Sequence, residues 1–203
     1  MFTGIVKGLF FIGDVIKHNG LTQYSVILPA SMREGLQIGA SVSIDGVCQS
    51  VVSVQGDHVW FDAIEETLNR TTLRELEVGL RVNVERSARL GDEIGGHLLS
   101  GHVFGKARIS KVITQENQAQ IFFEFSPKAI KYLFTKGYVA IDGASLTLVD
   151  VGTHEFSVHL IPETLRMTTL GFKKVGDWVN VELDAQTQVI VDTIERLLAK
   201  KTT

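Results

Sequence analysis

The run Ile44-Asp45-Gly46-Val47-Cys48-Gln49-Ser50-Val51 recurs as Ile141-Asp142-Gly143-Ala144-Ser145-Leu146-Thr147-Leu148, and the spacing between the copies does not drift. Asp45 and Asp142, Thr67 and Thr164, Thr72 and Thr169, and Asn83 and Asn180 all stand 97 residues apart. The same offset carries Gly4, Val6 and Gly8 onto Gly101, Val103 and Gly105, and Glu85 onto Glu182. A register held without net gap over nearly the whole chain implies a duplicated domain. A solenoid is excluded, because stacked repeats have periods of about 20–50 residues.

Each half of the 203-residue chain is large enough to bury a core, more securely if it packs against its twin. Boundaries at 1–97, 98–185 and 186–203 are expected. A net charge of −3 gives no reason to expect nucleic acid or an anionic membrane as partner. The single cysteine, Cys48, rules out an internal disulfide framework and fits a reducing compartment. No basic leader precedes a long apolar run, and no stretch reaches the roughly 18 apolar residues of a membrane span. A soluble cytoplasmic protein is expected.

Three prolines and nineteen glycines punctuate short β-rich runs, the pattern of a small barrel or sandwich. The first half predicts strands near Gly4–Ile12, Gln23–Leu28, Ser41–Ile44, Cys48–Val54, Val59–Ala63 and Arg81–Glu85, with a short helix over Ala30–Leu36. The second half repeats this order, with Ser126 placed to cap and Pro127 at the first position of a short helix before Lys128–Phe134. Six strands per half suit a closed Greek-key barrel, which leaves no exposed edge; strand count alone also admits a sandwich. Gln186 to Lys200 places Thr187, Ile190, Val191, Ile194, Leu197 and Leu198 on one helical stripe. That helix either folds back onto its own barrel or joins subunits. Two closed barrels already have their cores, so joining is favoured.

Alternate residues of a strand face opposite ways, so Cys48 and Ser50 share a face, as do Ser145 and Thr147. Each half therefore aims two small polar groups at one surface after an Asp-Gly turn, a way to hydrogen-bond a polar heterocycle. The halves differ elsewhere. Cys48 matches Ser145, Ile5 matches His102, Phe2 matches Leu99, Ser87 matches Asp184 and Asp62 matches His159. The candidate nucleophile thus lies in the first half, and the candidate base, His102, in the second. His97 and His102 lack metal-ligand spacing, so no metal is expected. Phosphate-loop, dinucleotide and nucleophile-elbow motifs are absent.

Met1-Phe2-Thr3-Gly4-Ile5-Val6, Gly95-Gly96-His97-Leu98-Leu99-Ser100-Gly101-His102, His159-Leu160-Ile161-Pro162-Glu163-Thr164-Leu165 and Asn180-Val181-Glu182-Leu183-Asp184 closely resemble the riboflavin synthase family, alpha-chain type, along essentially the whole chain. The resemblance implies two similar six-stranded β-barrels and a C-terminal helix that assembles a homotrimer. It implies an enzyme without a cofactor that dismutates 6,7-dimethyl-8-(1-D-ribityl)lumazine. One molecule gives a four-carbon unit to another, yielding riboflavin and 5-amino-6-(D-ribitylamino)uracil. Association with lumazine synthase is a further partner that the resemblance raises.

By the same resemblance, Phe2, Ser41, Cys48, His102 and Asp184 are linked to activity. A first substrate pocket takes Gly4, Ile5, Val6, Cys48, Gln49, Ser50, Asp62, Ala63, Ile64, Glu65, Glu66 and Thr67. A second takes Gly101, His102, Val103, Ser145, Leu146, Thr147, Ile161, Pro162, Glu163, Thr164, Leu165 and Arg166, with Lys136 reaching in from a neighbouring subunit. The active site lies between the first barrel of one subunit and the second of its neighbour. One departure stands out: where the family usually reads Leu-Thr after the cysteine, this chain has Gln49-Ser50. An unpaired amide on a core face costs about 1–3 kcal/mol, so Gln49 either finds partners or reshapes the first pocket. Non-catalytic chromophore carriers such as the lumazine protein resemble the same family, but typically lose the first-barrel cysteine that is present here as Cys48.

Overall fold

The computed structural model describes residues 1–201, and the last two residues of the expected tail lie outside them. In the first half, β1 (Gly8–His18), β2 (Leu21–Ile27), β3 (Ser41–Ile44), β4 (Val47–Gln55), β5 (His58–Ile64) and β6 (Arg81–Arg86) close into an antiparallel barrel of order β1-β2-β5-β4-β3-β6. In the second, β7 (Gly105–Gln115), β8 (Gln118–Glu124), β9 (Tyr138–Ile141), β10 (Ala144–Val151), β11 (Glu155–Leu160) and β12 (Trp178–Leu183) close in the equivalent order. Closure settles barrel over sandwich. Each barrel fills with its own inward residues: Val26, Phe61 and Val84 in the first, Phe123, Phe156 and Val181 in the second.

The first strand is displaced from the expected Gly4–Ile12. Gly4 adopts a left-handed φ of +75° and residues before Gly8 leave the sheet to cross toward the other barrel. The short helices α1 (Ala30–Arg33) and α3 (Pro127–Ile130) end earlier than expected. Pro127 does open α3, but the Ser126 side chain makes no capping bond. Two further helices, α2 (Glu65–Arg70) and α4 (Pro162–Met167), follow the fifth strand of each barrel; their few apolar residues gave no periodic signal.

The barrels meet about a pseudo-two-fold axis at the repeated Asp-Gly turns. Asp45 and Gly46 have φ of 44° and 80°, Asp142 and Gly143 of 45° and 81°, the signature of a tight two-residue hairpin turn. A Cβ on Gly46 would lie 2.6 Å from the Gly143 amide nitrogen, so the two turns abut only because both are glycine. Asn83 donates to the Asp142 carbonyl (2.8 Å) and accepts from the Thr169 amide (2.8 Å). Asn180 reciprocates with the Asp45 carbonyl (2.8 Å) and the Thr72 amide (2.8 Å). Burial raises both aspartate carboxyls. The Asp142 charge pushes Asp45 further up, while Lys173, 3.5 Å from Asp142, opposes the rise.

The helix α5 (Ala185–Lys201) folds back in part onto the second barrel. Val191 packs against the second core and the Tyr132 hydroxyl donates to Asp192 (2.5 Å). Ile190, Ile194 and Leu197 stay more than half exposed.

Candidate functional site

The N-terminal strap of each half is held by a glutamate at the end of that half's sixth strand. Glu85 accepts from the Thr3 amide and hydroxyl (2.7 Å each) and the Gly4 amide (3.1 Å). Glu182 does the same for Ser100 (2.7 Å each) and Gly101 (3.0 Å). Burial raises both carboxyls, and these hydrogen bonds pull the other way. From these anchors the straps cross over. The Ser145 amide donates to the Gly4 carbonyl (2.9 Å) and the Cys48 amide to the Gly101 carbonyl (2.9 Å).

This exchange corrects the expected grouping. Gly4, Ile5 and Val6 sit against the second barrel, where with Lys7, Ala144, Ser145, Glu163, Thr164, Met167 and Thr168 they line a cavity of about 370 Å³. Gly101 lies correspondingly against Cys48 in the first barrel. The fit is close: a Cβ on Gly101 would stand 2.6 Å from the Cys48 Cβ, and one on Gly4 2.5 Å from the Ser145 Cβ. With both glycines at positive φ, no other residue fits.

The polar pairs face outward as expected. Cys48 and Ser145 are half-buried, Ser50 and Thr147 exposed, and Gln49, Val51, Leu146 and Leu148 turn inward. Ser41 pairs with Ser50 across β3 and β4. Phe2 is buried, bridges to Leu99 and packs against Cys48. Gln49 finds its partners: its carbonyl accepts from the buried Tyr24 hydroxyl (3.2 Å) and its amide donates to the Cys48 carbonyl (2.9 Å). Phe2, Ser41 and Cys48 therefore gather on the first barrel beside the strap that carries His102, which is exposed.

Asp184 is elsewhere. It caps α5, accepting from the Thr187 amide (2.8 Å) and hydroxyl (2.7 Å), and its charge acts on His97 beside Ser145. One chain thus does not bring the five activity-linked positions together. Lys136, exposed and at a φ of 69°, is not among the residues lining the cavity. Ala63 and Leu146 belong to the barrel cores, so only their backbones are available to a ligand. Ile64, Glu65 and Glu66 are exposed at the start of α2, and Ile161, Pro162 and Glu163 at the start of α4. Asp62 accepts from Gln23 (3.0 Å), and Arg166 pairs with Glu163 (2.6 Å). Among the described residues no cluster suits a metal ion.

Sequence reasoning missed Lys7, Ala144, Met167 and Thr168 in the cavity wall, and the work of Glu85 and Glu182. The glutamates were visible as a repeated pair, but nothing in the pattern says that a strand-end carboxylate binds a strap about 80 residues away.

A family model described as the lumazine binding domain matches the chain twice, over residues 3–87 and 100–184. Riboflavin synthase of Escherichia coli (strain K12) is 48% identical over 202 residues, covering 99% of this chain and 95% of that protein. Riboflavin synthase of Chlamydia pneumoniae is 46% identical and covers 98% of each chain. Among solved structures, LumP complexed with riboflavin aligns with a TM-score of 0.84 at 28% identity, covering 91% of this chain and 100% of that one. LumP complexed with 6,7-dimethyl-8-(1'-D-ribityl) lumazine aligns at 0.80 and 28% identity, covering 90% and 98%.

Proposed function

This chain belongs to the riboflavin synthase family, and we propose that it dismutates two molecules of 6,7-dimethyl-8-(1-D-ribityl)lumazine to riboflavin and 5-amino-6-(D-ribitylamino)uracil. The observation that carries the reading is a strap-against-strand surface built twice on one frame and furnished differently, with a ligand-sized cavity at the second barrel. Cys48, Ser41 and His102 stand at the first; Ser145, Tyr138 and Asp184 stand at or near the second. Two copies of one substrate need two similar pockets, while donor and acceptor of a four-carbon unit need unlike handling.

The lumazine 7-methyl group is acidic because its carbanion delocalises into the ring, so a modest base suffices. His102 takes that proton, and such general-base catalysis is worth roughly 10²–10⁴ in rate. Cys48, or a water activated beside it, adds to the electrophilic ring carbon of the donor. Holding two heterocycles in register supplies a further contribution, by making a bimolecular step effectively unimolecular. The separation of Asp184 from the Cys48 and His102 surface in one chain supports a site completed between subunits, and the exposed apolar residues of α5 support a homotrimer. No helix among the described residues is long and apolar enough to cross a membrane, and we read the protein as cytoplasmic.

The test is to incubate the purified protein with the lumazine and follow riboflavin absorbance. Binding without riboflavin formation would make it a chromophore carrier of the LumP kind.

A further inference from the structure

Resting on that reading and deepening it is a histidine that none of the carried-over positions includes. His97 lies one residue before Leu98, which the offset matches to Met1. The side chain is 8% exposed and stacks on Tyr138, with ring centroids 5.0 Å apart and planes 18° from parallel. Its Nδ1 lies 2.7 Å from Ser145 Oγ, and Ser145 lines the second cavity. Its Nε2 is buried without a hydrogen-bond partner among the described residues. Gly96 permits the approach, since a Cβ there would lie 2.6 Å from the Ser145 Cβ and 2.4 Å from the Thr3 carbonyl oxygen.

A neutral imidazole carries one N–H and one lone pair. Burial pulls the pKa of His97 down, with the Asp184 charge opposing, which leaves the ring neutral near pH 7. One hydrogen therefore lies between Nδ1 and Ser145 Oγ, 2.7 Å apart, and holds the hydroxyl in a single orientation. The rest of the hydroxyl's hydrogen-bonding capacity is thereby turned toward the cavity that Ser145 lines. We propose that His97 is a positioning residue that holds the Ser145 hydroxyl in one orientation in the second pocket, where it meets a polar edge of the ligand such as a ring imide or a ribityl hydroxyl. The matching place in the first pocket holds Cys48, a weaker hydrogen-bonding group. The two pockets accordingly grip that polar edge of the same substrate unequally.

The experiment is a fluorescence titration with the lumazine and with riboflavin, beside thermal melts. It compares wild type, His97→Asn, His97→Leu, Ser145→Ala and the His97→Leu/Ser145→Ala double variant. Asparagine reaches the place of Nδ1 but not that of Nε2. His97→Asn is expected to keep affinity within about threefold. His97→Leu and Ser145→Ala should each weaken one class of site about tenfold and spare the other, in keeping with one lost hydrogen bond. The double variant should be no weaker than either single, and turnover should fall through KM rather than kcat. Additive losses, equal losses in His97→Asn and His97→Leu, or a lowered melting temperature with unchanged affinity would overturn the proposal. A wild-type protein that turns over lumazine while showing those results loses this inference alone. One that binds neither ligand removes the functional reading beneath it.

Discussion

The two barrels share strand order, turns and straps, yet fill one interior position by opposite means. The first places Gln49 under the Tyr24 hydroxyl; the second has Leu146 and Ile121 at the same two positions, both buried in an apolar core. A similar asymmetry marks the axis between them, where Lys173 lies 3.5 Å from buried Asp142 and its sequence counterpart, Leu76, packs into the first core. The residues that close the frame are duplicated: Asp-Gly, Asn83 and Asn180, Glu85 and Glu182. Cys48, His102, Lys173 and Asp184 are not. Duplication preserved what both halves need to fold together and released what each pocket does.

Replacing a residue by its counterpart tests this division directly. His102→Ile, which copies Ile5, should lower riboflavin formation about 10²–10³-fold while lumazine binding changes less than about threefold. Loss of binding with turnover per bound complex intact would remove the base assignment.

Lys173→Leu copies Leu76 and should cost about 2–4 kcal/mol at pH 8, because it strips the cation from a buried carboxylate. The deficit should shrink at pH 5. Burial already raises Asp142, and losing Lys173 raises it further. A raised carboxyl contributes stability that is present below its unfolded pKa and is lost as pH rises through the folded one. A deficit that grew on acidification in denaturant titrations would show that Lys173 stabilises something other than Asp142.

Gln49→Leu copies Leu146 and leaves the Tyr24 hydroxyl buried without its acceptor, a cost of about 1–3 kcal/mol. Adding Tyr24→Phe should recover much of that loss. Strict additivity in the double-mutant cycle would mean the pair is not coupled.

Asp184→Ser copies Ser87 and still caps a helix, so stability should move by no more than about 0.5 kcal/mol. Turnover should fall about tenfold, roughly 1.4 kcal/mol, if the carboxylate acts on the reacting groups. An unchanged rate reduces Asp184 to a helix cap.

Much of the architecture was legible without coordinates. The constant offset showed the duplication, and strand alternation put Cys48, Ser50, Ser145 and Thr147 outward and their neighbours inward. The helix α5 was legible from its apolar stripe. The helices α2 and α4 were not, because six residues with one or two apolar positions carry no period. The grouping of pocket residues was also misread. Gly4 to Val6 adjoin the first barrel in sequence but line the second, since Glu85 and the left-handed Gly4 turn the chain across the axis.

The sequence by itself determined the frame, because hydrophobic alternation and turn chemistry are local and are written twice at a fixed interval. Only the tertiary structure decided which strap meets which barrel, that Gln49 is satisfied by Tyr24, and that His97 stands behind Ser145. Each of those contacts joins residues that are distant along the chain, and its energy depends on burial and angle, which no residue pattern encodes.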